Sequence, residues 1–245
     1  MKIIEIEGLI IKSMKFKENS EILTILTKDN ILSVIAKGSL KIKSSLRMLS
    51  QRLTYAKFNI YYKEDSLCTL IDGEIINNFK NIITDIKKIT YASFIIDLIY
   101  QIKKDSKEEV LFDLLIKGLT KINDGFDPLV IANILELKCL KFLGVEPNLE
   151  YKCGLCGKNE VVTISVDNAC YICKNCLENE YKYSEKALKI LKLYSLVDFD
   201  NLKTINVSNS VKEEIDKFLD MYYDEYTGIY LKTKDFIVMT IFFEN

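Results

Sequence analysis

The sequence predicts an α+β protein: an N-terminal five-stranded barrel, then a helical domain interrupted by a small four-cysteine ribbon. Three observations predict it. Short β-branched and aromatic runs fill the chain up to residue 76, apolar residues recur at helical spacing after residue 80, and two Cys-x-x-Cys pairs stand between 153 and 176. With 245 residues, 49% hydrophobic and 28% charged, the chain has material for one large or several small cores and is too apolar for general disorder.

Runs rich in Ile, Leu, Val, Thr and Tyr at 3–13, 21–27, 31–36, 54–62 and 67–76 read as five strands separated by polar breaks. Between the third and fourth, GSLKIKSSLRMLSQ leaves room for a helical turn or two. Five strands are too few for an immunoglobulin-type sandwich and suit a small closed barrel such as the OB-fold.

Ile82, Ile86, Ile89, Ile96 and Tyr100 mark one face of a helix over about 81–103. Ser106 and Glu109 form a capping-box pattern ahead of Val110, Leu111, Leu114 and Leu115. Asp127 as N-cap, Pro128 in the first turn and Gly144 past the end delimit a third helix, with Leu135, Cys139 and Phe142 inward. Ser184 starts a short helix, and Ser210 with Glu213 caps a final one carrying Val211, Ile215, Phe218 and Tyr222. The expected domains are 1–80 for the barrel, 81–150 and 183–245 for the helical part, and 151–182 for the inserted ribbon.

The chain contains no His, which excludes His-based triads and His-ligated metals and leaves acid–base work to carboxylates, Lys, Tyr or Cys. Glu5 and Glu7 interrupt what would be a signal peptide's apolar core, and the apolar runs 93–100 and 236–243 are short of the ~20 residues of a membrane-spanning helix. A cytoplasmic protein with no membrane partner is expected. In that reducing compartment the seven Cys are read as metal ligands or thiols before disulfides.

Cys153 and Cys156 are separated from Cys173 and Cys176 by sixteen residues, within the range of a four-thiolate zinc site. VVTISVD between the pairs suits a ribbon hairpin. Four thiolates leave no open ligand position, so one structural Zn2+ per chain is expected, its binding energy becoming folding energy of the ribbon. Cys170 with Cys173 is a second possible pair, but it leaves only thirteen intervening residues, and Cys173 with Cys176 is preferred. Cys68 and Cys139 read as small core residues. A thiol oxidoreductase would place its Cys-x-x-Cys at a helix start, whereas both pairs here sit in short knuckles.

Charge is segregated. Residues 1–80 carry thirteen Lys and Arg against nine Asp and Glu, net +4, while residues 81–245 carry 21 against 26, net −5, which sums to the −1 of the whole chain. Between Asp29 and Glu64 there is no acid, yet Lys37, Lys41, Lys43, Arg47, Arg52, Lys57 and Lys63 occur there, including both Arg of the chain. Retaining Arg in a Lys-biased sequence suggests phosphate contact, since the guanidinium fork grips phosphate bidentately. Lys37, Lys41, Lys43, Arg47, Arg52 and Lys57 are the candidate DNA-binding residues, with Phe16, Tyr55, Phe58, Tyr61 and Tyr62 as nearby aromatics better suited to packing than to base stacking. The bland alternative is a solvated Lys-rich loop. No phosphate-cradling Gly loop and no recognisable pairing of carboxylates is present, so no catalytic residue and no small-molecule substrate are expected.

The stretch EGLIIKSMKFKENSEILTILTKDNILSVIAKGSLKIKSSLRMLSQ, with LIDGEII, the knuckles CGLCG and CKNC, and YLKTKDF near the end, resembles in order the motifs of the bacterial RecO family of DNA repair and recombination mediators. The resemblance implies an OB domain, a helical domain and a zinc ribbon. It also implies binding of single- and double-stranded DNA, annealing of complementary strands, and loading of RecA with RecR onto DNA coated by single-strand binding protein (SSB), whose C-terminal tail meets the helical domain. It places the protein in the cytoplasm at the nucleoid and puts DNA contact on Lys37, Lys41, Lys43 and Arg47. Two departures stand out: the Gly-Gly usual before the second Cys pair is Ala169-Cys170, and VMTIFFEN extends past the last motif. A barrel and ribbon could alternatively serve an RNA-binding accessory factor in translation or transcription, distinguished through the 2′-hydroxyl.

Overall fold

A computed structural model describes residues 2–64 and 66–243. Strands β1 (Lys2–Phe16), β2 (Ser20–Thr27) and β3 (Ile31–Ala36), the short helix α1 (Leu46–Leu49), and strands β4 (Tyr55–Tyr62) and β5 (Cys68–Asn77) build a closed barrel in the strand order β1-β2-β3-β5-β4. All five expected strands are present within three residues of their expected ends. β1 is long enough to pair with β4 through its first half and β2 through its second, and a register shift between Ile10 and Lys12 lets it bend from one partner to the other. The barrel closes through a parallel contact of Val34 with Cys68 and Ile35 with Thr69.

Alternation fixes what faces inward. Ile10, Leu23, Ile25, Val34, Phe58 and Ile60 are sealed in one core, and Leu46 and Leu49 of α1 close it from the β3–β4 connection. Cys68 lies in this core, and Cys139 is buried in the helical part, as small apolar residues.

Downstream lie α2 (Lys80–Ile83), α3 (Ile86–Asp105), α4 (Val110–Asn123), α5 (Pro128–Phe142), β6 (Thr163–Ser165), β7 (Cys170–Ile172), α6 (Glu185–Leu196), α7 (Asn209–Tyr226) and α8 (Lys232–Phe243). The chain forms two compact units, Met1–Ile83 with Ile99–Ile116, and Thr84–Leu98 with Lys117–Asn245. Within the first, the Lys103 ammonium donates to Lys28 O at 2.6 Å and Glu108 O at 3.1 Å, and Tyr55 meets Phe112 edge-on at 6.1 Å. Within the second, α5 is buried nearly all round, which explains its lack of a polar face, and it packs against α6 and α7.

Several helix ends differ from expectation. The helix expected over 81–103 is two, because the Asp85 carboxylate accepts the Lys88 N–H at 3.0 Å and starts α3 afresh. Ser106 forms no capping box with Glu109; its hydroxyl accepts from Glu108 N at 3.2 Å in the turn before α4, leaving Val110 exposed and Phe112 buried. Asp127 caps α5 as expected, accepting from Leu129 N at 2.9 Å, and Ser184 caps α6, accepting from Ala187 N at 3.1 Å. Leu135 and Cys139 point inward as expected, with Phe142 half-buried. α7 starts at Ser208, not with a Ser210–Glu213 box, although Val211, Ile215, Phe218 and Tyr222 are all buried. α7 is not the last helix: α8 follows through most of the C-terminal extension, whose Glu244 and Asn245 lie outside the described residues. No described helix is long and apolar enough to cross a membrane.

Candidate nucleic-acid interface and metal centre

The basic stretch falls on the connection from β3 through α1. Lys37, Lys41, Lys43 and Arg47 are all exposed, and among the described residues no carboxylate lies within ion-pair distance of any of them. Their backbone is a ladder of tight turns: Lys41 N donates to Gly38 O at 3.1 Å, Ser44 N to Lys41 O at 3.0 Å and Arg47 N to Ser44 O at 3.2 Å. Gly38 enters the turn at φ +71, where a side chain would be strained.

This connection is pinned to the barrel. Gly38 N donates to Ser20 Oγ at 3.2 Å and Leu40 N to Asn19 O at 3.2 Å. The Glu21 carboxylate accepts from Ser39 Oγ at 2.7 Å and from Ser13 Oγ at 2.6 Å, so one side chain of β2 holds both β1 and the basic connection. Ser39 is fully buried. A fixed loop loses less conformational freedom when it meets a partner than a free one.

The remaining two candidates sit in different surroundings. Arg52 is exposed just before β4. Lys57 is exposed on β4 but pairs across the sheet with Glu7 of β1 on one side and Glu74 of β5 on the other, so its positive field is offset by acid. Of the aromatics, Phe58 is in the core, Tyr62 packs against it, and Tyr55 is engaged with Glu7 and Phe112. Phe16 is half-buried, its ring 5.4 Å from the Lys17 ammonium, and Tyr61 is the exposed one, at 39%.

The second constellation lies in the helical unit. The sulfurs of Cys153, Cys156, Cys173 and Cys176 all lie within 4.8 Å of one another, and Cys170 is not among them. A tetrahedral zinc site with bonds of about 2.3 Å has sulfur–sulfur edges of roughly 3.8 Å, so this donor set fits that ion with small adjustments. Burial opposes ionisation of Cys153, but backbone N–H groups of Cys156, Cys173 and Leu155 outweigh it and bring that thiol down to about 6. Cys176 instead keeps its proton, donating it to the Cys156 and Cys173 sulfurs, which holds that thiol up to about 12. A metal ion would displace that proton. β6 and β7 form the ribbon hairpin, shorter than the VVTISVD run suggested.

Cys170 has a packing role. Its sulfur stands 2.4 Å from where a side chain on Gly154 would begin, so the first knuckle needs Gly beside it. Ala169 adopts φ +50, a left-handed conformation that a Gly would accept without strain.

Carboxylates that looked scattered in sequence also converge. Lys234 on α8 meets Glu136 Oε1 of α5 at 2.6 Å and Asp220 Oδ1 of α7 at 2.5 Å, with Asp216 close enough to act on it electrostatically. One ammonium is shared among the buried Glu136, the half-buried Asp216 and the more exposed Asp220, and burial pushes Glu136 up to about 7 and Asp216 up to about 6. Nothing in sequence separations of up to 98 residues signals this cluster.

The protein thus joins an OB-type barrel to a helical unit bearing a four-cysteine cluster suited to metal. Residues 1–79 match the family model for Recombination protein O N terminal and residues 83–235 the one for Recombination protein O C terminal. The DNA repair protein RecO of Halalkalibacterium halodurans is 32% identical over 237 residues, 94% of this chain and 92% of that protein. That of Bacillus pumilus is 34% identical over 241 residues, covering 96% and 93%. The chain belongs to the RecO family, and its role lies in DNA repair and recombination.

Proposed function

We propose that the protein is a non-enzymatic mediator that binds DNA through the β3–α1 connection and brings complementary strands together. The observation that carries this reading is the set of exposed cations Lys37, Lys41, Lys43 and Arg47, free of acidic partners among the described residues, on a connection fastened to the barrel by Glu21. Annealing breaks and makes no covalent bond. It needs only that repulsion between two phosphate backbones be screened while bases search for partners, and mobile cations on a fixed loop supply that screening. Arg52 extends this surface; Lys57, between Glu7 and Glu74, contributes less.

Cys153, Cys156, Cys173 and Cys176 hold one Zn2+ that stabilises the ribbon, with all four ligand positions filled by thiolate and none left for substrate. Family membership supports a role alongside RecR in loading RecA onto SSB-coated DNA, with the SSB tail as a contact of the helical domain and a place at the nucleoid in the cytoplasm. Annealing of SSB-coated complementary oligonucleotides, with intact SSB and with SSB lacking its C-terminal tail, tests this. Acceleration that disappears with the tail supports both activity and partner; no acceleration with intact SSB contradicts the mediator role.

A further inference from the structure

We infer that Ile42 is the base-contacting residue of the basic connection: it lies against an unstacked nucleobase of single-stranded DNA while Lys41 and Lys43 engage the neighbouring phosphates. The inference rests on the proposed DNA-binding role of this connection and names the part of the ligand that the cations alone do not address.

Ile42 is 86% exposed, the most exposed large hydrophobic side chain among the described residues. Isolated apolar side chains on a surface are common and carry no message alone. Ile42 differs in its setting. It stands between two exposed ammonium groups, and the backbone around it is tied down by the Lys41–Gly38 and Ser44–Lys41 turns and by Glu21 through Ser39. The side chain is therefore held out in water by fixed structure. An apolar protein patch covering Ile42 would have to desolvate Lys41 and Lys43 as well, an unfavourable exchange. A single strand of DNA offers what both kinds of side chain need, an apolar base face beside anionic phosphates. In a duplex those faces are stacked away, and reaching one requires unstacking, so the contact favours single strands. Met48 of α1, 52% exposed on the same connection, adds further apolar surface.

The test is fluorescence anisotropy of the full-length protein with an oligothymidylate and with a duplex of equal length, each over a series of salt concentrations. Ile42→Ser is expected to weaken single-strand binding about tenfold, with its salt slope intact, and to change duplex binding less than about twofold. Ile42→Phe is expected to retain single-strand affinity. Unchanged single-strand affinity in Ile42→Ser, or an equal loss on both DNAs, overturns the inference. A Lys41→Gln, Lys43→Gln protein reports separately on the underlying reading: a reduced salt slope keeps the connection on DNA whatever Ile42 does, and an unchanged slope removes the connection, and Ile42 with it, from the DNA interface.

Discussion

Glu21 of β2 accepts the Ser39 hydroxyl at 2.7 Å, and through this bond an acidic side chain shapes the most basic connection of the molecule. Counting charge alone, removing Glu21 should improve DNA binding. If the carboxylate acts by holding Ser39 and Ser13, Glu21→Ala weakens binding although the protein becomes more positive. It also leaves the buried Ser39 hydroxyl unsatisfied, at a cost of about 1–3 kcal/mol in urea denaturation. Affinity measured alongside stability separates the two accounts, and tighter binding by the variant would show that the pin is irrelevant.

The four-thiolate cluster and its neighbour Cys170 give opposite expectations for similar changes. Cys153→Ser should lose bound zinc and unfold the ribbon, whereas Cys170→Ala should retain one zinc per chain, since its sulfur lies outside the cluster. Metal analysis of both purified variants decides the matter; zinc loss from Cys170→Ala, or iron in place of zinc in the unaltered protein, would refute the assignment.

Ala169 stores backbone strain beside that cluster. Its φ of +50 costs an L residue about 1–2 kcal/mol, partly offset by the greater chain entropy that Gly would lose on folding. Ala169→Gly should therefore stabilise the zinc-loaded protein by roughly 0.5–1 kcal/mol in denaturant unfolding. Destabilisation would mean that the methyl group packs more usefully than its conformation suggests.

Glu136 makes the helical unit sensitive to pH in a definite direction. Its carboxyl is raised in the folded state to about 7 by burial, so the folded protein holds a proton that the unfolded chain releases. This contribution is fully present below the ordinary carboxylate range and is lost as pH rises through about 7. Relative to Glu136→Gln, the unaltered protein should lose about 2–3 kcal/mol of stability between pH 4.5 and pH 7.5. Parallel pH dependences for the two proteins would exclude Glu136 as the titrating group.

The barrel was legible because strand signals are local: each run is bounded by polar breaks, and alternation such as Ala56, Phe58 and Ile60 inward against Lys57 outward shows in the residues themselves. The metal cluster was legible for the same reason, since each knuckle brings two sulfurs together within four residues. What escaped the sequence depends on register or on distant partners. Ser106 and Ser210 look like the first residues of capping boxes that do not form, while Asp85, inside the one helix expected over 81–103, starts α3. Glu7 and Glu74 flank Lys57 only after β1, β4 and β5 align. Glu21 could be noticed as an acid at the start of a strand, but its two serine partners come from β1 and the β3–α1 connection.

The most direct test of the central claim is the salt dependence of single-strand DNA binding by the Lys41→Glu, Lys43→Glu, Arg47→Glu protein. If these side chains contact phosphates, affinity at moderate salt falls steeply and the magnitude of the log–log salt slope drops by about two or more, because each lost phosphate contact on a single strand removes about 0.7. The zinc content and unfolding midpoint should stay the same, as all three residues are exposed and remote from the cysteine cluster in sequence. Unchanged affinity and slope in a folded, zinc-loaded variant would contradict the account.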